Sequence, residues 1–123
     1  MNPSAFAILC QGNDQCRPES MEALLSGMAF MLPLFDAIPN AAIFIKDLQA
    51  RYLLANQALV QRCGFKQLRH LLGKTSADVF PEQLGPGYTE QDRRVLQEGR
   101  GLEDQLELHL YGSREPGWCL THK

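Results

Sequence analysis

Apolar positions recur with two different periods along the chain, and where the period changes marks out the elements. Met21, Leu24, Leu25, Met28, Met31, Leu32 and Phe35 follow the i, i+3, i+4, i+7 spacing of a helix with one apolar stripe. Ser20 is placed to cap its N-terminus, and Glu22 lies in the first turn, where the helix dipole is positive. Pro33 should end or kink that helix, so two helical pieces joined at Leu32 and Pro33 are expected over residues 20–38. Ala41 to Ile45 is a short, partly β-branched run bounded by turn residues and predicts a mostly buried strand. The polar stretch from Asp47 to Arg51 then leads into Tyr52 to Ala55, which predicts an antiparallel hairpin.

Asn56 stands at an N-cap position before a helix from Gln57 to Cys63, with Gly64 as its stop. Phe65 to Leu84 mixes apolar residues with Gly73, Thr75, Ser76 and Pro81, a pattern that suits several short helical turns rather than one long helix. A longer helix is expected from Tyr88 to Glu98, ended by Gly99. Strict alternation follows: Leu102, Asp104, Leu106, Leu108 and Leu110 interleave with Glu103, Gln105, Glu107, His109 and Tyr111, which predicts a half-buried strand with its leucine face inward. A turn-rich stretch from Gly112 to Gly117 precedes a returning strand from Trp118. There is no internal repeat and no low-complexity tract.

A chain of 123 residues with 45% apolar content suits one domain with one core. The formal charge of −2 is nearly balanced, and the basic residues are scattered, so no electrostatic footprint for nucleic acid is present. Met28 to Ile38, the longest apolar stretch, is broken by Pro33 and Asp36 and is far shorter than the roughly 20 residues that span a bilayer. Ala5 to Cys10 has the look of a lipoprotein signal, but no basic residue precedes it and its apolar run is too short. A cytoplasmic location is therefore expected. Cys10, Cys16, Cys63 and Cys119 have no C-x-x-C spacing and read as reduced thiols, mostly buried.

Leu34-Phe35-Asp36-Ala37-Ile38-Pro39-Asn40, Ile43-Phe44-Ile45-Lys46-Asp47 and Tyr52-Leu53-Leu54-Ala55-Asn56-Gln57-Ala58 follow one another in an order that resembles the opening of a PAS domain. Leu72-Gly73-Lys74-Thr75 and Asp78-Val79-Phe80-Pro81 are similar to the segment that precedes the family's longer helix, and the resemblance runs over roughly residues 33–123, judged against the strand and helix order above. It implies an α+β fold, with a curved antiparallel sheet flanked by short helices around a small cavity. By position it assigns the cavity lining to Phe44, Leu53, Val60, Leu72, Val79, Tyr88, Leu106, Leu108, Trp118 and Leu120. A narrower similarity, in Asp104 to Leu108 and Gly117 to Thr121, is to amino-terminal sensor domains of AraC-type bacterial transcription regulators. Sensor domains of histidine kinases and cyclic-dinucleotide enzymes share most of it.

The resemblance implies a signal-sensing input module, with a small organic ligand and a homodimer as its partners. A ligand-free dimerisation module is the alternative. The stripe at Met21, Leu24, Leu25, Met28, Met31, Leu32 and Phe35 either packs on its own domain or forms a seam between two chains. Cofactor motifs are missing. Cys63 lies in Gln61-Arg62-Cys63-Gly64-Phe65, a departure from the motif of flavin-binding members, and residues 86–99 lack the histidine of haem-binding ones. His70, His109 and His122 have no metal-ligand spacing. Glu103 and Glu107 are expected on a solvated face, and no nucleophile elbow, phosphate loop or zinc motif is present, so no enzyme activity is expected.

In the family's five-strand order of two, one, five, four, three, this chain reaches only the fourth strand. The domain over 39–123 is thus expected to be C-terminally truncated and to lack its central strand. Within a leader at residues 1–19, Ser4 to Cys10 is apolar on both faces and is a candidate to fill that slot by adding to the sheet of its own or a neighbouring chain.

Overall fold

A computed structural model describes residues 18–111 and 114–123. Residues 1–17 of the leader, with its candidate strand at 4–10, lie outside the described residues. Ser20 Oγ accepts a hydrogen bond of 3.0 Å from the Ala23 amide and so caps helix α1, Met21–Asp36, as expected. The expected break does not occur, because Pro33 lies inside one continuous helix. Its missing N–H leaves the Ala29 carbonyl without its intrahelical donor. The chain divides into two compact units within α1, one ending at Met31 and one running from Leu32 to Lys123. No residue of α1 is buried: Leu24, Leu25, Met28, Leu32 and Phe35 are half-buried, and Met21 and Met31 are exposed.

The second unit holds β1, Phe44–Lys46, and β2, Tyr52–Ala55, paired antiparallel with Phe44 opposite Ala55. The first strand starts later than its apolar run because Ala41 and Ile43 are engaged by one side chain. Asn56 Oδ1 accepts from the Ile43 amide at 3.0 Å and from the Leu59 amide at 3.3 Å, while its Nδ2 donates to the Ala41 carbonyl at 2.7 Å. The same residue thus caps α2, Gln57–Arg62, and fastens the approach to β1. Asp36 Oδ1 accepts from the Gln57 amide at 2.8 Å, which ties the end of α1 to the start of α2.

A one-turn 3-10 helix at Leu68–His70 and the short α3, Ser76–Val79, fill the region where short turns were expected. Thr75 and Asp78 form a reciprocal capping box on α3. Between the 3-10 helix and α3, Gly73 adopts a φ of 79°, a left-handed conformation that only glycine takes without a Cβ penalty. That turn lets the Gly73 amide donate to the Tyr52 carbonyl at 2.8 Å and the Lys74 carbonyl accept from the Tyr52 amide at 2.9 Å, which covers the free edge of β2. Helix α4, Gly85–Glu98, begins three residues before the expected Tyr88, with Pro86 in its first turn, where its missing N–H costs nothing.

Strands β3, Gln105–Leu110, and β4, Pro116–Thr121, form a second antiparallel pair in which Leu106 faces Leu120, Glu107 faces Cys119 and Leu108 faces Trp118. The two pairs are separate two-stranded sheets among the described residues. Tyr52, Ala55, Leu59, Val60, Cys63, Leu71, Phe80 and Tyr88 make the buried core, between the first hairpin and the helices that follow it. None of the described helices is long and apolar enough to cross a membrane.

The alternation in β3 is present, but its phase is the reverse of the expected one. Leu106, Leu108, Trp118 and Leu120 are 59%, 38%, 64% and 57% exposed. Glu107 and His109, expected to be solvated, are the more covered pair. The reason is that each finds partners inside: Gln91 of α4 donates to Glu107, and the Phe80 and Tyr88 rings meet the His109 imidazole at centroid distances of 4.9 and 5.3 Å. Polar residues with partners can occupy the inner face, and the leucines then take the outer one.

Candidate functional site

The inner faces of both hairpins, together with α2, α3 and α4, border a cavity of about 280 Å³. Of the residues that the sequence assigns to its wall, Phe44 and Tyr88 line it, and Leu120 borders it although it is 57% exposed on the outer face of β4. The other seven lie elsewhere. Leu53 points away from Tyr52, which lines the cavity in its place, and Val60 is fully buried in the core, where its neighbour Leu59 lines the cavity instead. Val79 packs against the core, Leu72 is exposed, and Leu106, Leu108 and Trp118 sit on the outer face of the second hairpin.

The cavity is richer in polar groups than the sequence suggested. Lys46, at the end of β1, donates to Ser76 Oγ at 2.7 Å and makes an ion pair with Asp92 of α4. Lys123 reaches the other oxygen of Asp92 at 2.7 Å. All three side chains are below 10% exposed, at 7%, 5% and 9% for Lys46, Asp92 and Lys123. Burial lowers the Lys46 pKa, and the pull of Asp92 opposes it. The Lys46 ammonium also stands 4.2 Å above the Tyr52 ring, whose hydroxyl lies 3.1 Å from Ser76 Oγ.

Arg62, in the last turn of α2, is 5% exposed. Its guanidinium donates to the Asn40 carbonyl at 2.6 Å and lies 4.6 Å from the centre of the Tyr111 ring. Tyr88 donates its hydroxyl to the Leu108 carbonyl, which fixes α4 to β3, and burial pushes its phenol up to about 12. The Cys63 thiol, beneath α2, is likewise pushed up to about 12 by burial, against the influence of Lys46 and Arg62. It is therefore protonated at neutral pH and is a poor nucleophile. Among the described residues no cluster of His, Cys, Asp or Glu is arranged to hold a metal ion. The arrangement is one of paired donors, rings and a buried guanidinium, suited to holding a small molecule.

Burial also lowers the His109 pKa, more than its contact with the Leu110 carbonyl and the Glu107 charge raise it; Arg62 and Lys123 act in the same direction as burial. The folded state therefore resists a proton that the unfolded chain takes up at about pH 6.5. Stability should fall as the pH drops below about 6.5 and level off once the folded imidazole is also protonated. Urea unfolding midpoints measured between pH 7.5 and 5 should show this slope, and His109→Asn should flatten it. Asp47 and Asp78, whose pKa values are lowered, act at a lower pH, below the ordinary carboxylate value.

Sequence reasoning missed Lys46, Tyr52, Leu59, Arg62, Ser76, Phe80, Glu107, His109 and Lys123 of the cavity wall, and Asp92, which joins the two lysines. A usable signal existed for Asp92, an acid one turn before Val95 and Leu96 on the same helix, and for Lys46, which ends a strand otherwise apolar. A family model for the PAS fold matches residues 35–123. No curated protein and no solved structure matches the chain.

Proposed function

The chain belongs to the PAS-fold family, and on that premise we propose that it is the ligand-binding input module of a cytoplasmic bacterial signalling protein, a transcription regulator, and that it works as a homodimer without catalysis of its own. The observation that carries this reading is the cavity of about 280 Å³, which has aromatic walls and convergent polar groups and is close to the lower end of the about 300–1,000 Å³ usual for small-molecule sites. Its polar wall links β1, α4 and the end of β4 through Asp92, so a molecule that rearranges Lys46 or Lys123 would shift the sheet relative to the helix. The regulator assignment is supported by the similarity in residues 104–108 and 117–121 noted above. The near-balanced charge supports a module that leaves nucleic acid to other parts of the protein.

The same proposal includes the five-strand sheet. β1 and β4 flank a slot of about 400 Å³ lined by Ala42, Ile43, Phe44 and Lys46 on one side and His122 and Lys123 on the other, with Asp92, Val95 and Leu96 of α4 at its base. A strand supplied by a further segment or another chain, placed there, gives the family order of two, one, five, four, three.

Native mass spectrometry of the protein purified from its bacterial host tests the reading. The expected result is a dimer carrying a small molecule that denaturation releases. A protein that is persistently empty and gains no mass from metabolite extract overturns it. An interaction module is the second reading, favoured by the exposed Leu106, Leu108, Trp118 and Leu120 and by an α1 with no buried residue. Empty dimers in the same spectra would establish it.

A further inference from the structure

Charge around the cavity is unbalanced. Lys46 and Lys123 share one carboxylate, that of Asp92, and Glu107 is held by the neutral amide of Gln91. Arg62 lines the same cavity, is 5% exposed, and has no carboxylate within ion-pair distance among the described residues. A carbonyl and the face of a tyrosine ring are its recorded partners. A guanidinium removed from water without a counter-charge is costly to hold, and its planar fork of donors matches a carboxylate better than any neutral group. Phe44, Leu59, Phe80 and the ring of Tyr88 face the same space and give it an apolar side, beside the polar Ser76, His109 and Thr121. A dry cavity of about 150 Å³ accepts benzene, so about 280 Å³ has room for one ring with a short substituent.

We infer that the ligand of this cavity is a small aromatic carboxylate, whose ring packs among Phe44, Phe80 and Tyr88 and whose carboxylate is taken by Arg62. This rests on the ligand-sensing reading and narrows it to a chemical class. Binding replaces the missing counter-charge of Arg62, so recognition of the anion and relief of a buried cation are one event.

Isothermal titration of the full chain with benzoate and phenylacetate, each against its amide, tests the class. The acids should bind at least ten-fold more tightly than the amides. Arg62→Gln should abolish that preference, and Arg62→Lys should restore part of it, because it keeps the charge and loses the fork. Circular dichroism reports whether each variant folds, and the comparison of acid with amide on the unaltered protein needs no variant at all. Amides that bind as well as acids, or an acid preference that survives in a folded Arg62→Gln, overturn the assignment while leaving a ligand-binding cavity in place. Binding of none of the four compounds also overturns it, and the native mass measurement then decides separately whether the cavity holds a molecule of another class.

Discussion

Asp92→Ala is expected to destabilise the domain by about 3–5 kcal/mol, because it leaves two buried ammonium groups facing each other with no counter-charge. Lys46 and Lys123 reach Asp92 from different hairpins, so the substitution removes the shared anchor between β1 and the end of β4 as well as a charge. Against a typical stability of about 5–15 kcal/mol, the loss should move the urea midpoint far enough to leave part of the protein unfolded at room temperature. The penalty comes from stranded charge, so removing all three groups together should be much milder. A Lys46→Met, Asp92→Leu, Lys123→Met variant is expected to unfold close to the unaltered protein, since well-packed apolar replacements of buried ion networks are often neutral. If the triple variant is as unstable as Asp92→Ala, the cluster acts through its geometry and not through its charges.

Asn56→Ala should cost about 3 kcal/mol. One part is the lost N-cap of α2, about 1 kcal/mol. The larger part is the pair of backbone groups at Ile43 and Ala41 that lose their side-chain partners, each worth about 1–3 kcal/mol when buried and unsatisfied. Asn56→Asp separates the two roles: it keeps the acceptor for the Ile43 and Leu59 amides and loses the donor to Ala41. Its urea midpoint should fall between those of Asn56→Ala and the unaltered protein. Hydrogen exchange at the Ile43 amide should accelerate in the alanine variant and stay protected in the aspartate one.

The order of elements was legible because it is written in local chemistry. Ser20 and Asn56 announce helix starts by acting on amides three residues away, and Gly73 and Gly99 announce turns through a conformation other residues avoid. Pro33 misled because it removes a single intrahelical hydrogen bond, at the Ala29 carbonyl, and the helix runs on past it. The phase of β3 misled for another reason. Alternation fixes which residues share a face, but which face is covered depends on α4, and Gln91, Phe80 and Tyr88 make the inner side hospitable to Glu107 and His109. The cavity wall was the least legible part. Arg62 and Lys123 are far apart in sequence, and although the apolar neighbours of Asp92 on its helix hint that it is covered, no local pattern says that Lys46 and Lys123 will meet it.

The reversed phase of the second hairpin also gives the protein an optical reporter. Trp118 is the one tryptophan in the chain, and it stands 64% exposed on the outer face beside Leu108, with the cavity on the opposite side of the strands. At that exposure its emission should be that of an indole in water, and a shift to shorter wavelength should register the covering of that face. Molecules entering on the other side change the light only insofar as they bend the hairpin between them, so one fluorophore separates what happens on the two sides of the same pair of strands.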